Sequence, residues 1–492
     1  MLPRAPLAGT CVWVSLLLWG CSEASSPAPA PAAPPPRAGR LDAPVPIVLI
    51  TIDTLRRDHL GCYGYFRDTS PNLDAFAAEG VLFERAVSAM ATTLPSHLSL
   101  LTGLYPHQHG IEANRSGAQG PFEPGPGRTS AAVLLRAAGY RTAAFTSAAP
   151  VCRATGVLVG FDHLDDVSPG VRPAAETARN AVRWMERTAG APFFVWIHLW
   201  DPHEPNRPAA RFTKTLGDGA RIDDLLRERG VDAARISREC SDHVLARLVF
   251  PDAPEGAPLP AVDDDALRRM VERYDGDVRA ADEAAGLVFA ELRSLGLWNR
   301  AIVVVAGDHG QSLGQHGWLD HGAITNENVL VPLLARFPPG VLDQPLRVAT
   351  TVSLVDVMPT VLARLSAPVL DELARQAEGR DVFAGDFARD YAFVERTTSH
   401  RKGWIPGREF ALLGPRWKYL FHESGPDALY DLAADPLETR DVLARHPELA
   451  AELGARARTL AARRPAPGRD PDRVADPELL EALEGLGYTE EE

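Results

Sequence analysis

Cysteine is scarce in this 492-residue chain, with five in all and no spacing among them that would hold a metal, which excludes a cysteine-bound zinc scaffold. Positive charge is also in deficit. Lys+Arg number 51 against 65 for Asp+Glu, a formal net charge of −14, so the chain lacks the basic face that a nucleic-acid partner would need. The apolar run near the N-terminus, CVWVSLLLWG (11 to 20), is too short to span a bilayer. No internal repeat is visible, which excludes a solenoid or propeller. What remains, 45% hydrophobic and 24% charged, is ordinary globular usage in a chain long enough for one large core and a smaller companion.

With Arg4 ahead of it, the short apolar run suits the core of a secretory signal over residues 1–20. Leu18, Trp19 and Gly20 before Cys21 resemble a bacterial lipobox, in which Cys21 is lipidated and becomes the first mature residue. A plain signal cut nearby is the alternative. Residues 21–45, including SEASSPAPAPAAPPPRAGRLDAP, cannot form a core and read as an extended Pro/Ala linker. The expectation is an exported lipoprotein, membrane-anchored on the periplasmic or outer surface side of the cell envelope. Cys62, Cys152 and Cys240 then remain, expected as buried thiols, with a Cys152 to Cys240 disulfide as the alternative.

From Pro46 onward, apolar β-branched or aromatic runs alternate with helical stretches. The strand candidates are IVLITID (47 to 53), TAAFTS (142 to 147), PFFVWIHLW (192 to 200) and AIVVVAGD (301 to 308). This pattern predicts an α/β fold, a mostly parallel central sheet with helices on both faces, over residues 46–386. Ligands of such sheets gather beyond the carboxyl ends of the strands, where Asp53, Asp201 and Asp308 all fall. Residues 207–264 read as an insertion near the substrate entrance. A small α+β subdomain is expected over 387–465, followed by a charged tail, 466–492, in which DPELLEALEGLGY forms a short helix.

These segments, taken in order, carry a resemblance. TTLPSHLSLLTG (92 to 103) resembles the sulfatase motif Cys-x-Pro-Ser-Arg and its Leu-Thr-Gly helix, with Thr93 for the cysteine, Pro95 and Ser96 retained, and His97 for the arginine. PIVLITIDTLRRDHLGCYGY (46 to 65) is similar to the family's first strand and metal loop, HLWDPHEP (198 to 205) to its substrate-histidine loop, and VVVAGDHGQSLGQHG (303 to 317) to its second metal loop. ALYDLAADPLETRDV (428 to 442) is similar to its C-terminal subdomain. The chain is therefore identified as a sulfatase-like member of the alkaline phosphatase superfamily, and the resemblance implies that fold.

The resemblance implies Asp53, Asp308 and His309 as ligands of one divalent cation. Such an ion would neutralise an anionic ester and acidify a bound hydroxyl. Thr54 replaces the family's second aspartate and His309 its asparagine, which moves the site from calcium towards magnesium, manganese or zinc. Thr93 then decides the chemistry. Formylglycine, the oxidised cysteine of sulfatases, expels sulfate through a second oxygen that threonine lacks, whereas a phosphorylated threonine can be released by a second in-line attack. Thr93 is expected as catalytic nucleophile, with His97, His203 and His321 as further catalytic groups and Asn114 and His316 as substrate-binding residues. Asp201, His203 and His321 could alternatively form a second metal site. The expected function is metal-dependent hydrolysis of a sulfate or phosphate ester on a glycan, lipid or small molecule. Phosphodiester cleavage or phosphoryl transfer on envelope components, and silent binding of anionic glycans, are the alternatives.

Overall fold

The computed structural model describes residues 33–115, 120–397 apart from Thr215, Asp218 and Glu255, 407–463, 476–486 and Tyr488. The expected signal, the lipobox and the start of the linker lie outside the described residues. Among the described residues, no helix is long and apolar enough to cross a membrane.

The central sheet has eight strands, in the order Leu346–Val348, Val81–Phe83, Leu333–Arg336, Ile302–Gly307, Ile47–Ile52, Phe193–Leu199, Arg141–Phe145 and His163–Asp165. From Ile302–Gly307 to His163–Asp165 every pairing is parallel, while Leu333–Arg336 runs antiparallel to both its neighbours. All the strands expected from apolar runs are present. The strands that escaped the sequence reading have three or four residues, too few for a period to show.

Ile47–Ile52 is buried on both faces, as a central parallel strand must be. Val48, Ile50 and Ile52 join the core formed with helices Pro71–Glu79, Ala174–Thr188 and Asp264–Ser294. Ile47 and Leu49 join the opposite core, with helices Thr93–Thr102, Ala131–Ala137 and Val357–Leu362. The register sets Thr51 beside His198 and Ala306, and Ile52 beside Leu199 and Gly307. The loops that begin at Asp53, Trp200 and Asp308 therefore leave the sheet at one level.

The expected insertion carries the short helices Ala220–Glu228, Ala233–Glu239 and Asp242–Leu248. Ile222, Leu226, Ile236, Leu245 and Leu248 bury against the first core. The C-terminal part is an antiparallel sheet of Ala392–Arg396, Glu409–Leu413, Trp417–His422 and Ala428–Asp431, covered by helix Pro447–Ala461. Cys62, Cys152 and Cys240 are all free thiols, the latter two buried.

Candidate active site

Helix Thr93–Thr102 lies under the sheet edge with every residue buried, and ends on Gly103 in the left-handed conformation (φ 70°). Thr92 occupies the N-cap, so the hydroxyl of Thr93 is not the cap. It faces the strand loops instead, with Oγ1 3.5 Å from Asp53 Oδ2 and 3.3 Å from His309 Nε2. Pro95 sits in the first turn, where a missing N–H costs nothing. The Ser96 hydroxyl donates to the Asp308 carbonyl at 2.7 Å and ties the helix to the second loop.

Asp53 and Asp308 are fully buried. Asp308 Oδ1 accepts from the backbone N–H groups of His309 (2.8 Å) and Thr54 (3.2 Å), and Thr54 holds a left-handed backbone, φ 51°, to make that approach. Asp53 Oδ1 and Asp308 Oδ2 are buried with no hydrogen-bond partner. The His309 tautomer follows from its neighbours. Nδ1 lies 3.0 Å from the Gly310 carbonyl, which only accepts, so Nδ1 carries the proton and Nε2 presents a lone pair. That lone pair points towards Asp53 Oδ1 at 3.6 Å and Asp308 Oδ2 at 3.5 Å. Three electron-rich atoms within 4.8 Å of one another, two of them orphaned carboxylate oxygens, make a candidate donor set for a divalent cation.

Electrostatics point the same way. Burial pushes both carboxyl groups well above the usual carboxylate range, and for Asp308 the neighbouring Asp53 adds to it. Burial likewise holds His97, His203 and His309 well below the usual imidazole range, and His198 at about 3. Dry surroundings favour neutral forms of all these groups, and a dication reverses the balance for the carboxylates.

His97 does not have the role expected from its place in the motif. Nδ1 donates to the Thr93 carbonyl at 2.7 Å, and Nε2 accepts from the Thr51 hydroxyl at 2.9 Å, which in turn accepts from Trp196 Nε1 at 2.9 Å. Both nitrogens are spent on joining helix to sheet, so the ring is neutral and offers no lone pair to an ion. His198 was missed, because it stands inside an apolar strand run and reads as core. Its Nε2 lies 3.3 Å from Asp53 Oδ2, which makes Nε2–H a donor that orients this carboxylate.

His203 and His321 come together, with their Nε2 atoms 3.1 Å apart, and the His321 ring lies 4.7 Å from that of His309. His203 Nδ1 donates to the Glu204 carbonyl at 2.9 Å, so its Nε2 is an acceptor and the shared proton sits on His321 Nε2. Trp200 stacks on His203 at 3.8 Å, and Arg247 of the insertion reaches Glu204 at 3.2 Å. Tyr488 also reaches His203, with its hydroxyl 3.1 Å from Nε2. Asn114 is buried beside the helix start, Oδ1 accepting from Leu94 N at 2.8 Å and Nδ2 without a partner.

Two further readings need correction. His316 is not with this group; the chain turns out through Gly314 (φ 104°) and His316 itself (φ 58°), and its imidazole lies 3.8 Å from Glu327 beside Glu438. Asp201 does not join His203 and His321 as a ligand, since its Oδ2 accepts from Ala174 N at 2.8 Å at the start of helix Ala174–Thr188.

The sulfatase family profile matches residues 46–367. The chain is 24% identical to an N-acetylglucosamine-6-O-sulfatase of Bacteroides thetaiotaomicron, over 81% of this chain and 82% of that one. It is 23% identical to a multifunctional alkaline phosphatase superfamily protein of Trinickia caryophylli, over 80% of this chain and 90% of the other. Its fold is similar to the crystal structure of a phosphonate monoester hydrolase of Agrobacterium radiobacter, with a TM-score of 0.66 and 22% identity, covering 85% of this chain and 96% of that one. The family profile spans the three strand-end loops and the buried helix that together bring Asp53, Thr93, His203 and Asp308 into one buried cluster, and the chain belongs to the sulfatase family, as a hydrolase of sulfate or phosphate esters.

Proposed function

We propose that the chain hydrolyses a phosphate ester in a divalent-metal-dependent reaction with Thr93 as nucleophile. The observation that carries this reading is the Thr93 hydroxyl itself, free of capping duty and aimed at Asp53 and His309. Asp53, Asp308 and His309 would hold the ion, magnesium, manganese or zinc, which when bound neutralises the ester's charge and favours the ionised hydroxyl.

The remaining steps belong to side chains of this protein. Thr93 Oγ1 attacks phosphorus in line, its proton passing to Asp53 Oδ2, and the bond from phosphorus to the leaving oxygen breaks. His321 Nε2–H protonates that oxygen, with His203 as its partner. The Asn114 amide, its oxygen fixed by Leu94 N–H, directs Nδ2 to a non-bridging oxygen. Water then gives a proton back to His321 and attacks the phosphothreonine in line, the bond from phosphorus to Thr93 Oγ1 breaks, that oxygen recovers its proton from Asp53, and phosphate leaves. With a single oxygen, Thr93 has no route to expel sulfate by re-forming a carbonyl, so phosphorus is favoured over sulfur. The substrate is an anionic ester of a glycan, lipid or small molecule.

The test is turnover of aryl phosphate, a phosphate diester and aryl sulfate by purified protein with each metal. Thr93→Ala is expected to lower kcat/KM on the phosphate ester about 10³-fold or more, and acid quenching to trap phosphate on Thr93. Turnover of aryl sulfate alone, or a Thr93→Ala variant as fast as wild type, would reject the proposal.

A further inference from the structure

The chain's last described residues enter the site. Helix Pro477–Gly485 begins at Asp476, whose carboxylate accepts from the N–H groups of Glu478 and Leu479. Leu479, Ala482 and Leu483 pack on Ala149 and Cys152. Arg115, next to Asn114, clamps the end of this segment through one nitrogen, to Glu484 Oε1 at 3.1 Å and to the Tyr488 carbonyl at 3.0 Å. These contacts place Tyr488, 3% exposed, against His203 and His321. Its ring lies beside His321, 6.1 Å between centroids and 12° from parallel, and its hydroxyl is 3.1 Å from His203 Nε2, sharing that acceptor with His321 Nε2–H.

Docking of the segment does not need that hydroxyl. The apolar face of the helix and the Arg115 clamp already hold it, whereas the phenol addresses the acceptor nitrogen that also faces His321. We propose that Tyr488 is a positioning and specificity residue of the hydrolytic site: it orients His203 and His321 and walls the leaving-group side, so that the C-terminal segment sets the size of alcohol accepted. This rests on the hydrolytic reading given above.

The experiment compares full-length wild type with Tyr488→Phe, Tyr488→Ala and Leu483→Asp in the presence of manganese. The readouts are kcat and KM on an unsubstituted and a bulky aryl phosphate, the pH profile, binding of inorganic phosphate by calorimetry, and thermal stability. Tyr488→Phe is expected to lower kcat/KM about fivefold to tenfold and shift the profile, with thermal stability retained. Tyr488→Ala and Leu483→Asp should raise the ratio of bulky to small substrate turnover. Wild-type kinetics, pH profile and substrate ratio in the Tyr488 variants would overturn the proposal while leaving the hydrolytic reading intact. If wild type hydrolyses no ester, the hydrolytic reading fails and phosphate binding decides: weaker binding by Tyr488→Phe supports a positioning role, and equal or absent binding overturns it.

Discussion

A buried imidazole can serve a site without touching substrate. His97 shows this, with one nitrogen on its own helix and the other on the sheet, and His109, at the end of helix Pro106–His109, likewise spends both nitrogens on the scaffold. His109 Nε2 donates to the Pro95 carbonyl at 3.2 Å, beside the Ser99 hydroxyl at 3.1 Å, and Nδ1 accepts from Ile111 N at 3.3 Å. Burial pushes this imidazole down to about 3. In the unfolded chain it titrates near its ordinary value of about 6.5, so as pH falls below that the unfolded state takes up a proton that the folded state refuses. Its contribution to stability is therefore intact above about 6.5 and lost progressively towards about 3, at up to about 1.4 kcal/mol per pH unit. Urea denaturation at pH 7, 6 and 5 should show His109→Asn with a shallower acid loss than wild type; identical slopes would mean that His109 titrates normally in the fold. The candidate residues Thr93, Asp53, Asp308 and His309 were legible because motif spacing places them at a helix start and at strand ends. His198 was not legible, since an imidazole in an apolar strand looks like core until its partner, Asp53 on the adjacent strand, is known.

At the scale of elements, the 31-residue helix Asp264–Ser294 does more than cover the sheet. Tyr274, fully buried, donates to the Thr54 carbonyl at 2.7 Å and accepts from Arg56 N at 2.9 Å. This holds the first loop in the turn that lets Thr54 N–H reach Asp308. Tyr274→Phe leaves a buried N–H and a buried carbonyl unpaired. It is expected to cost about 1–3 kcal/mol in urea unfolding and to weaken metal binding measured by calorimetry, with far-UV dichroism unchanged. Unaltered metal affinity would show that the loop holds its shape alone. The helix itself was readable from its apolar period. Its grip on Thr54 was not, because 220 residues separate Tyr274 from that carbonyl and no local pattern encodes the meeting.

Across the whole molecule, both ends of the chain bear on how the catalytic unit is used. The tail brings Tyr488 to His203, and the C-terminal sheet is tied to helix Pro106–His109 where Glu395 pairs with His107. At the other end, we propose from the lipobox-like LWGC sequence that Cys21 carries a lipid anchor. Cys21→Ser is then expected to move the protein from the membrane pellet to the soluble fraction of a bacterial host, and to abolish incorporation of labelled fatty acid. Equal membrane retention without the thiol would disprove the anchor.

The sequence by itself determined the doubly covered, mostly parallel sheet, the family, and the loops at which its chemistry gathers. Those features are written in local period, burial on both strand faces, and residue types at strand ends. Tertiary structure alone decided that Thr93 points at Asp53 and His309 rather than capping its helix, that His97 is committed to the scaffold, that His316 faces elsewhere, and that Tyr488 reaches His203 across 285 residues of chain. Such roles are set by which polar atoms find partners when distant segments are buried together, and partnership at a distance leaves no local signature.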